Sequence, residues 1–107
     1  MEYLIVVDFE ANCLQNGLIK PQEIIEFPAV PICLKTKKIL TDKIFHEYCR
    51  PTKRPLTPFA TKLTGITPQT VADSSPFSTV YKAFENWRFK NGFRKHNSVL
   101  VTCGNWD

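Results

Sequence analysis

The hydrophobic and polar positions follow two periods along the chain, and together they predict strands followed by helices. Residues 3–7, YLIVV, are an unbroken apolar run rich in β-branched side chains. Such a run is typical of a strand that is buried on both faces at the centre of a sheet. A polar loop at residues 12–22 leads to a second extended segment, residues 23–34. In this segment Pro28 and Pro31 predict a strand that is irregular, bulged or near an edge.

A hairpin is predicted next. Residues 35–38, KTKK, form a polar turn, and apolar and polar side chains alternate in part of residues 39–49. This alternation favours an antiparallel pairing of residues 39–49 with the preceding strand. A last short apolar segment, residues 98–103, predicts one further strand.

Three Ser/Thr-Pro pairs mark the starts of helical segments, because a hydroxyl residue caps a helix well and proline suits its first position. Thr57 begins a short helix that ends at Gly65, and Thr67 begins a brief turn. Ser75 begins the strongest helix, whose apolar side chains recur at spacings of three and four. These side chains are Phe77, Val80, Tyr81, Phe84 and Trp87. The order is β-β-β-α-α-β, which predicts an α/β fold.

The composition favours a single globular domain. The chain has 107 residues, of which 43% are hydrophobic, 12% aromatic and 22% charged. No apolar run approaches the ~20 residues of a transmembrane helix, so no membrane association is expected. The first ten residues contain acidic but no basic side chains, which argues against a secretory or transit peptide.

The net charge of +4 is unevenly distributed. Residues 1–34 contain five acidic side chains and one basic one, whereas residues 35–107 contain thirteen basic and five acidic ones. This division suits a polyanionic ligand and a cation-binding carboxylate site. Solvated lysines on a small domain are an equally good explanation of the charge alone.

The four cysteines, at positions 13, 33, 49 and 103, lack the close Cys/His spacings of a zinc site. Each lies in or beside an apolar or strand-like segment, so buried free thiols in a reducing compartment are favoured over a disulfide. An intracellular location is therefore expected, in the cytoplasm, the nucleus or both.

Candidate chemistry begins where the first strand ends. Because side chains alternate along a strand, Asp8 and Glu10 share one face and Phe9 points to the other. Two adjacent carboxylates at the carboxyl end of a buried strand suit a hard divalent cation. On these three residues alone, a pair of solvated acids is the simpler interpretation. Asp107 follows a second apolar strand, and it completes a three-carboxylate cluster if that strand lies beside the first.

Four segments resemble a known family when they are taken in order. They are YLIVVDFEANC (3–13), QEIIEFPAV (22–30), LTGIT (63–67) and CGNWD (103–107). The set resembles the Eri1-like (three-prime histone mRNA exonuclease-like) branch of the DEDDh exonucleases, in the ribonuclease H-like superfamily. The resemblance implies a ribonuclease H-like mixed sheet with flanking helices, here truncated before the last strand and the C-terminal helices.

The resemblance also implies a function for individual residues. Asp8 and Glu10 match the first exonuclease motif and Asp107 the second, so these three are the expected catalytic metal ligands. The complete family site holds two Mg²⁺ or Mn²⁺ ions, which activate water and stabilise the leaving oxygen in phosphodiester hydrolysis. Ala11 and residues 63–65 (Leu63, Thr64 and Gly65) match positions that contact the terminal nucleotide, although an ordinary helix C-cap also explains the latter.

The expected substrate is the 3′ end of RNA, single-stranded or as a short overhang. The resemblance is also compatible with a protein partner that delivers this RNA. The expected reaction is 3′–5′ exonucleolytic removal of nucleotides.

One departure from the family pattern bears on activity. The family's third motif places an aspartate five residues after a general-base histidine, but five residues after His46 and His96 come Pro51 and Val101. Residues 1–107 are therefore expected to be the N-terminal portion of an exonuclease domain, weak or inactive alone. A non-catalytic RNA- or protein-binding module on a degenerate exonuclease fold is the alternative.

Three further features stay open at this stage. Glu26 suits either a role beside the metal ligands or a hydrogen-bonded strand acid. His46 is interpreted as a strand-face residue and His96 as a solvated one. Two basic clusters, at residues 50–54 and 88–96, suit either phosphate contacts or solvated surface.

Overall fold

The computed structural model describes residues 1–102, without the side chain at position 18. Within this part of the chain, eight strands and three α-helices form one α/β unit. The strands are β1 (Tyr3–Val7), β2 (Glu10–Ala11), β3 (Cys13–Leu14), β4 (Gly17–Leu18), β5 (Ile24–Cys33), β6 (Lys38–Ile39), β7 (Phe45–Tyr48) and β8 (Ser98–Thr102). The helices are α1 (Pro58–Thr64), α2 (Pro68–Ala72) and α3 (Phe77–Lys90), and a 3₁₀ turn covers Thr41–Lys43.

A mixed sheet organises the molecule. β1 lies between β5, to which it is antiparallel, and β8, to which it is parallel. β5 pairs with β1 and β2 along one side, one after the other. Along its other side β5 pairs with β6 and β7. The predicted α/β fold class, with a mixed sheet and flanking helices, is confirmed, and so is the placement of β8 beside β1.

The expectation that β5 is irregular, bulged or near an edge is confirmed only in part. Its pairing with β2 has a register shift between Ile24 and Glu26, but β5 is not an edge strand. β5 runs for ten residues and is paired on both sides. Its prolines are tolerated because each lies where a neighbouring strand is interrupted. Pro28 falls between the pairing of β1, which ends opposite Ala29, and that of β2, which starts opposite Glu26. Pro31 falls between the segments paired with β6 and β7, where its carbonyl accepts the N–H of Leu40 at 2.9 Å.

The second strand of the predicted hairpin, residues 39–49, is interrupted in the structure. The predicted strand over residues 39–49 is divided into β6 and β7 by the 3₁₀ turn. Two small elements were not predicted: the β3–β4 hairpin inside the loop at residues 12–22, and helix α2 where a brief turn was expected. Both are short, and tertiary contacts decide whether such segments become regular.

The helix boundaries follow the capping chemistry, with one exception. The hydroxyls of Thr57 and Thr67 accept N–H groups of the first turns of α1 and α2. Gly65 ends α1 in the left-handed conformation, with φ of 80°, as glycine readily does. Ser75 is not the cap of α3: the helix starts at Phe77, after an extended Pro76, and has no side-chain cap.

The main core lies between α3 and one face of the sheet. Phe27, only 1% exposed, is central to it, with ring centroids of Phe9 and Phe84 each 4.7 Å away. Val80 and Phe84 are buried and Trp87 is half-buried, as predicted, whereas Tyr81 is 47% exposed and does not face the core. The other buried members are Ile5, Val7, Ala29, Phe45, Cys49 and Phe93.

The opposite face of the sheet is more open than predicted for β1. Ile5 and Val7 are buried, but Leu4 and Val6 are only half-buried. In the neighbouring β8, residues 99–101 are 38–43% exposed. Among the described residues, helix packing buries only one face of β1, so the prediction of burial on both faces is wrong.

The thiols also differ from expectation. Cys13, Cys33 and Cys49 are free, but only Cys49 is buried, and Cys103 lies outside the described residues. Burial and the nearby charge of Glu47 raise the pKa of Cys49 to about 12, so its thiol stays protonated at neutral pH. Within residues 1–102, no helix has the length and hydrophobicity needed to cross a bilayer.

The central position of Phe27 leads to a stability prediction. Phe27→Ala removes a ring from the middle of the aromatic core and should lower the free energy of unfolding by about 3–5 kcal/mol. Phe89→Ala is the matched control, because Phe89 is 69% exposed. It should cost less than about 1 kcal/mol. Urea unfolding followed by circular dichroism measures both; equal losses would contradict this description of the core.

Candidate active site

The two carboxylates of the first motif lie at the carboxyl end of β1. Asp8 is exposed just after the strand, and Glu10 is half-buried in β2. Phe9, between them, packs edge-on against Phe27 in the core. The predicted alternation is therefore confirmed in this segment: Phe9 anchors the chain to the core, and the acids are directed away from it.

Electrostatic repulsion is concentrated at Glu10. Glu10 is paired with Glu26 in the register of β2 and β5, and a register shift follows at Ala11. Partial burial raises the pKa of Glu10, and the charges of Asp8 and Glu26 raise it further. Three acids thus share one region of the sheet, which disfavours the ionised form of the central one.

Glu26 has a partner of its own. Its carboxylate is 2.5 Å from Nε2 of His46, on the neighbouring strand β7. This contact favours the interpretation of Glu26 as a hydrogen-bonded strand acid and places His46 on the face of its strand, as expected. His96 is exposed in the loop before β8, at the end of the sheet opposite Asp8.

A buried asparagine, which the sequence analysis missed, connects the carboxylate segment to α1. Asn12 is 2% exposed and lies two residues after Glu10. Its Nδ2 donates to the carbonyl of Pro55 at 3.0 Å, and its Oδ1 accepts the N–H of Thr57 at 3.0 Å. An Asn side chain with both ends bonded to one backbone segment holds it in a defined position.

Thr57 adds a second connection in the same place. Its hydroxyl donates to the carbonyl of Cys13 and accepts the N–H of Ala60 at 3.0 Å, so it caps α1 while attaching it to β3. Asn12 and Thr57 together fix α1 relative to Glu10 and Ala11. The Asn12-Cys13 and Thr57-Pro58 steps are visible in the sequence, but only the fold shows that they meet.

The predicted nucleotide-contacting residues lie at the other end of α1. Leu63 is 64% exposed, so its side chain is available to a ligand. The hydroxyl of Thr64 donates to the carbonyl of Ala60 at 2.8 Å and accepts the N–H of Ile66 at 3.1 Å. Gly65 is exposed and serves as the helix C-cap. The C-cap interpretation is therefore confirmed, and it leaves Leu63 and the backbone of Gly65 accessible.

Glu23 binds the backbone of the basic loop at residues 50–54, which precedes α1. It accepts the N–H groups of Thr52, Lys53 and Arg54 at 2.7, 2.8 and 3.3 Å, and the Thr52 hydroxyl at 3.1 Å. Partial burial alone would raise the pKa of Glu23, but these hydrogen bonds outweigh it and lower the pKa. The loop is thus held in a fixed shape.

Two arginines of the basic cluster at residues 88–96 make contacts within the fold, whereas Lys90, Lys95 and His96 are exposed. Arg88 is buried, with its guanidinium 6.0 Å from the ring of Phe84 and Nη1 3.6 Å from Glu85. Arg94 lies over the ring of Phe89 at 4.2 Å and donates to its carbonyl at 2.6 Å. Both arginines therefore stabilise the end of α3, and the cluster is not a simple solvated surface.

The expected third ligand, Asp107, lies outside the described residues. β8 ends with Thr102 opposite Val7, the residue that precedes Asp8. Among residues 1–102, no group of three His, Cys, Asp or Glu side chains is close enough to hold a metal ion.

Comparison with known families agrees with this arrangement. A family model described as Exonuclease (RNase_T) matches residues 5–107. The chain belongs to this exonuclease family. ERI1 exoribonuclease 3 of Homo sapiens is 43% identical to this exonuclease chain over 109 aligned residues, which cover 98% of the chain and 31% of the relative. The 3′-5′ exonuclease Snipper of Drosophila melanogaster is 41% identical, covering 92% of the chain and 35% of the relative.

Solved structures agree on the fold. The nuclease domain of 3′hExo, a DEDDh family member bound to rAMP, superposes with a TM-score of 0.89 at 34% identity, covering 99% of this exonuclease chain and 54% of that one. A 3′-exonuclease that recognises the histone mRNA stem-loop gives a TM-score of 0.88 at 32% identity, with 98% and 47% coverage. The chain thus spans about a third of the curated relatives and about half of that nuclease domain.

The role of Asn12 can be tested directly. Asn12→Ala leaves the carbonyl of Pro55 and the N–H of Thr57 without their partner. The expected loss of stability is about 1–3 kcal/mol. Amide hydrogen exchange measured by NMR should accelerate at Thr57 more than in α3. Asn86→Ala, on the exposed side of α3, is the control. Unchanged protection of Thr57 in the Asn12 variant would contradict the proposed attachment.

The electrostatics of Glu10 give a pH prediction. Because the folded state raises the pKa of Glu10, it binds this proton more tightly than the unfolded chain does, and stability falls as pH rises from 4.5 through the folded-state pKa. Asp8→Asn removes one repelling charge, so the pKa of Glu10 should fall. The change is measurable by NMR titration of its side-chain carboxyl. Asp42→Asn should leave that pKa unchanged, and an unaltered pKa in the Asp8 variant would contradict the coupling.

Proposed function

We propose that residues 1–107 are the N-terminal portion of a 3′–5′ exoribonuclease domain that removes nucleotides from RNA 3′ ends by metal-dependent phosphodiester hydrolysis. The observation that carries the proposal is the pair of electrostatically coupled carboxylates, Asp8 and Glu10, at the end of the central strand of a chain in the exonuclease family. Support for RNA comes from the relatives, which are exoribonucleases by name or were solved with rAMP or an RNA stem-loop.

The donor set fits a divalent metal ion. Asp8 and Glu10 supply hard oxygen ligands, and the repulsion that raises the pKa of Glu10 is relieved when a cation lies between such groups. Asp107 is the proposed third ligand, reached by the chain that continues from β8. In the complete domain, two Mg²⁺ or Mn²⁺ ions would activate water and stabilise the leaving oxygen.

The chain's own residues have distinct tasks in this proposal. Asp8 and Glu10 would hold the cations through their carboxylate oxygens. Ala11, beside them in β2, and the exposed end of α1 around Leu63 and Gly65 orient the terminal nucleotide. A left-handed glycine without a side chain allows close approach of a sugar to the backbone. Asn12 holds β2 and α1 in a fixed position relative to each other.

Activity of this chain alone is proposed to be weak. Neither His46 nor His96 is followed five residues later by an acid, and His46 is committed to Glu26. Losing a general base commonly lowers a rate by about 10²–10⁴. The aspartate of the same motif, which the family resemblance implies is the fourth metal ligand, is also missing from residues 1–107, and its loss would lower the rate further.

Metal binding tests the proposal without relying on turnover. Calorimetric titration with Mn²⁺ should show binding to the wild-type chain, and Asp8→Ala should weaken it by at least roughly 10-fold, because removing even a group that only orients a metal ligand commonly costs about 10–100-fold. Asp42→Asn, an exposed acid in the 3₁₀ turn, should have no effect. Identical titrations of the wild type and the Asp8 variant would remove the metal site from this account.

An assay with a labelled single-stranded RNA completes that test. We expect slow trimming from the 3′ end or none, and the longer chain with a downstream His-x-x-x-x-Asp should trim quickly in an EDTA-sensitive manner. Rapid EDTA-sensitive trimming by residues 1–107 would contradict the assigned need for that motif. Metal and RNA binding without trimming by any longer chain would favour a non-catalytic binding module instead.

A further inference from the structure

A groove beside the proposed active site is not used by the chemistry described so far. Its volume is about 570 Å³, within the usual size range for a small ligand. The apolar wall includes Leu14, Ile19 and Leu56, and the two cations at its edge are Lys20 and Arg54. An apolar surface with a few charged groups at its edge is suited to a nucleotide, which has a flat base and an anionic phosphate.

The edge of this groove is built rigidly. Arg54 donates from Nε to the carbonyl of Lys20 at 3.1 Å, which joins the two sides. Glu23 holds the backbone of residues 52–54, and Asn12 holds the carbonyl of Pro55. These bonds fix the Arg54 guanidinium and the backbone of Lys20 before any ligand arrives, which lowers the entropy that binding has to overcome.

The two cations are available for an anionic ligand. Within residues 1–102, no ion pair forms between a carboxylate and either Lys20 or Arg54. Glu23 is the nearest acid in the hydrogen-bond network, but its oxygens are occupied by backbone N–H groups and a hydroxyl. Lys53, exposed in the same loop, adds a third positive charge.

The groove continues toward the expected position of the RNA 3′ end. A second groove of about 520 Å³ is lined by Leu63, the proposed contact of the terminal nucleotide, together with Lys62 and Pro58. Pro58 also lines the first groove. Pro58 and Leu63 are five residues apart on one helix, a rise of about 7.5 Å. The two grooves therefore adjoin each other at Pro58, at the start of α1.

We propose that the groove between Lys20 and Arg54 binds the nucleotides of a single-stranded RNA that precede its 3′ end. The bases lie against Leu14, Ile19 and Leu56, and the phosphates lie near Lys20 and Arg54. This inference rests on the proposed function, because the terminal nucleotide at Leu63 defines the direction of the strand. It extends that function by assigning a subsite for the upstream strand.

The test compares a short RNA with a single nucleotide. Binding of 5′-fluorescein-labelled rA8 is measured by anisotropy at several salt concentrations with Mg²⁺, and AMP binding is followed by the amide signal of Ala11. The variant is Lys20→Gln with Arg54→Gln. It should bind rA8 at least five-fold more weakly, and the salt slope should fall by about 1.4, since each lost phosphate contact of a single strand contributes about 0.7. AMP binding should be unchanged.

The matched control is Lys35→Gln with Lys38→Gln. Both lysines are exposed, Lys35 in the β5–β6 turn and Lys38 at the start of β6, at the end of the sheet far from Asp8. The control should retain the rA8 affinity of the wild type. Methyl signals of Leu14, Ile19 and Leu56 should shift with rA8 and not with AMP.

The outcomes separate this inference from the proposed function. Equal rA8 affinity of the two double variants, or absent methyl shifts, overturns the groove assignment while AMP binding at Ala11 still supports the terminal site. Loss of AMP and rA8 affinity together in the Lys20 and Arg54 variant also overturns it, because the effect is then general electrostatics. A wild-type chain that binds neither ligand overturns both proposals.

Discussion

The side-chain amide of Asn12 bonds in both directions to the backbone that leads into α1, and the geometry of the proposed site depends on this contact. The amide is buried two residues after Glu10, where it accepts the N–H of Thr57 and donates to the carbonyl of Pro55. Thr57 in turn caps α1 and bonds to Cys13. A sheet edge and a helix that are far apart in sequence thus become one rigid unit. Buried polar networks of this kind specify one arrangement because any other leaves groups without partners.

Whereas Asn12 joins groups that attract each other, the fold also brings together three carboxylates that repel each other. Phe9 fastens the chain to Phe27, which directs its two acidic neighbours to the same side, and Glu26 adds a third charge beside Glu10. Repulsion of this kind reduces stability locally, and a bound cation would relieve it. The neighbouring Glu23 shows the contrast: its charge is neutralised by backbone donors and serves to shape a loop.

Much of the fold could be predicted because local signals were strong. The apolar run of β1, the Thr-Pro caps and Gly65 each have a local physical cause, and the structure confirms them. The role of β5 could not be predicted from its prolines alone. Whether a missing N–H matters depends on where the neighbouring strands end, and Pro28 and Pro31 both face such interruptions.

The site shows the same division. Asp8 and Glu10 are two residues apart in sequence, so alternation along a strand predicts that they share one face, and the segment 63–65 matched a family pattern. Asn12 gave no signal, because a buried asparagine is recognised only by the distant groups that it bonds to. Asp107 lies outside the described residues, and its assignment as a ligand stays a prediction.

In the proposed site, β2 and the end of α1 bind one nucleotide together because the hydrogen bonds of Asn12 connect them. An NMR titration with AMP and Mg²⁺ tests it most directly, through the amide signals of Ala11 and Gly65. We predict that both signals shift with the same dissociation constant in the wild type, and that Asn12→Ala weakens binding and uncouples them. Movement of only one signal, or identical titrations of the two proteins, would contradict the claim.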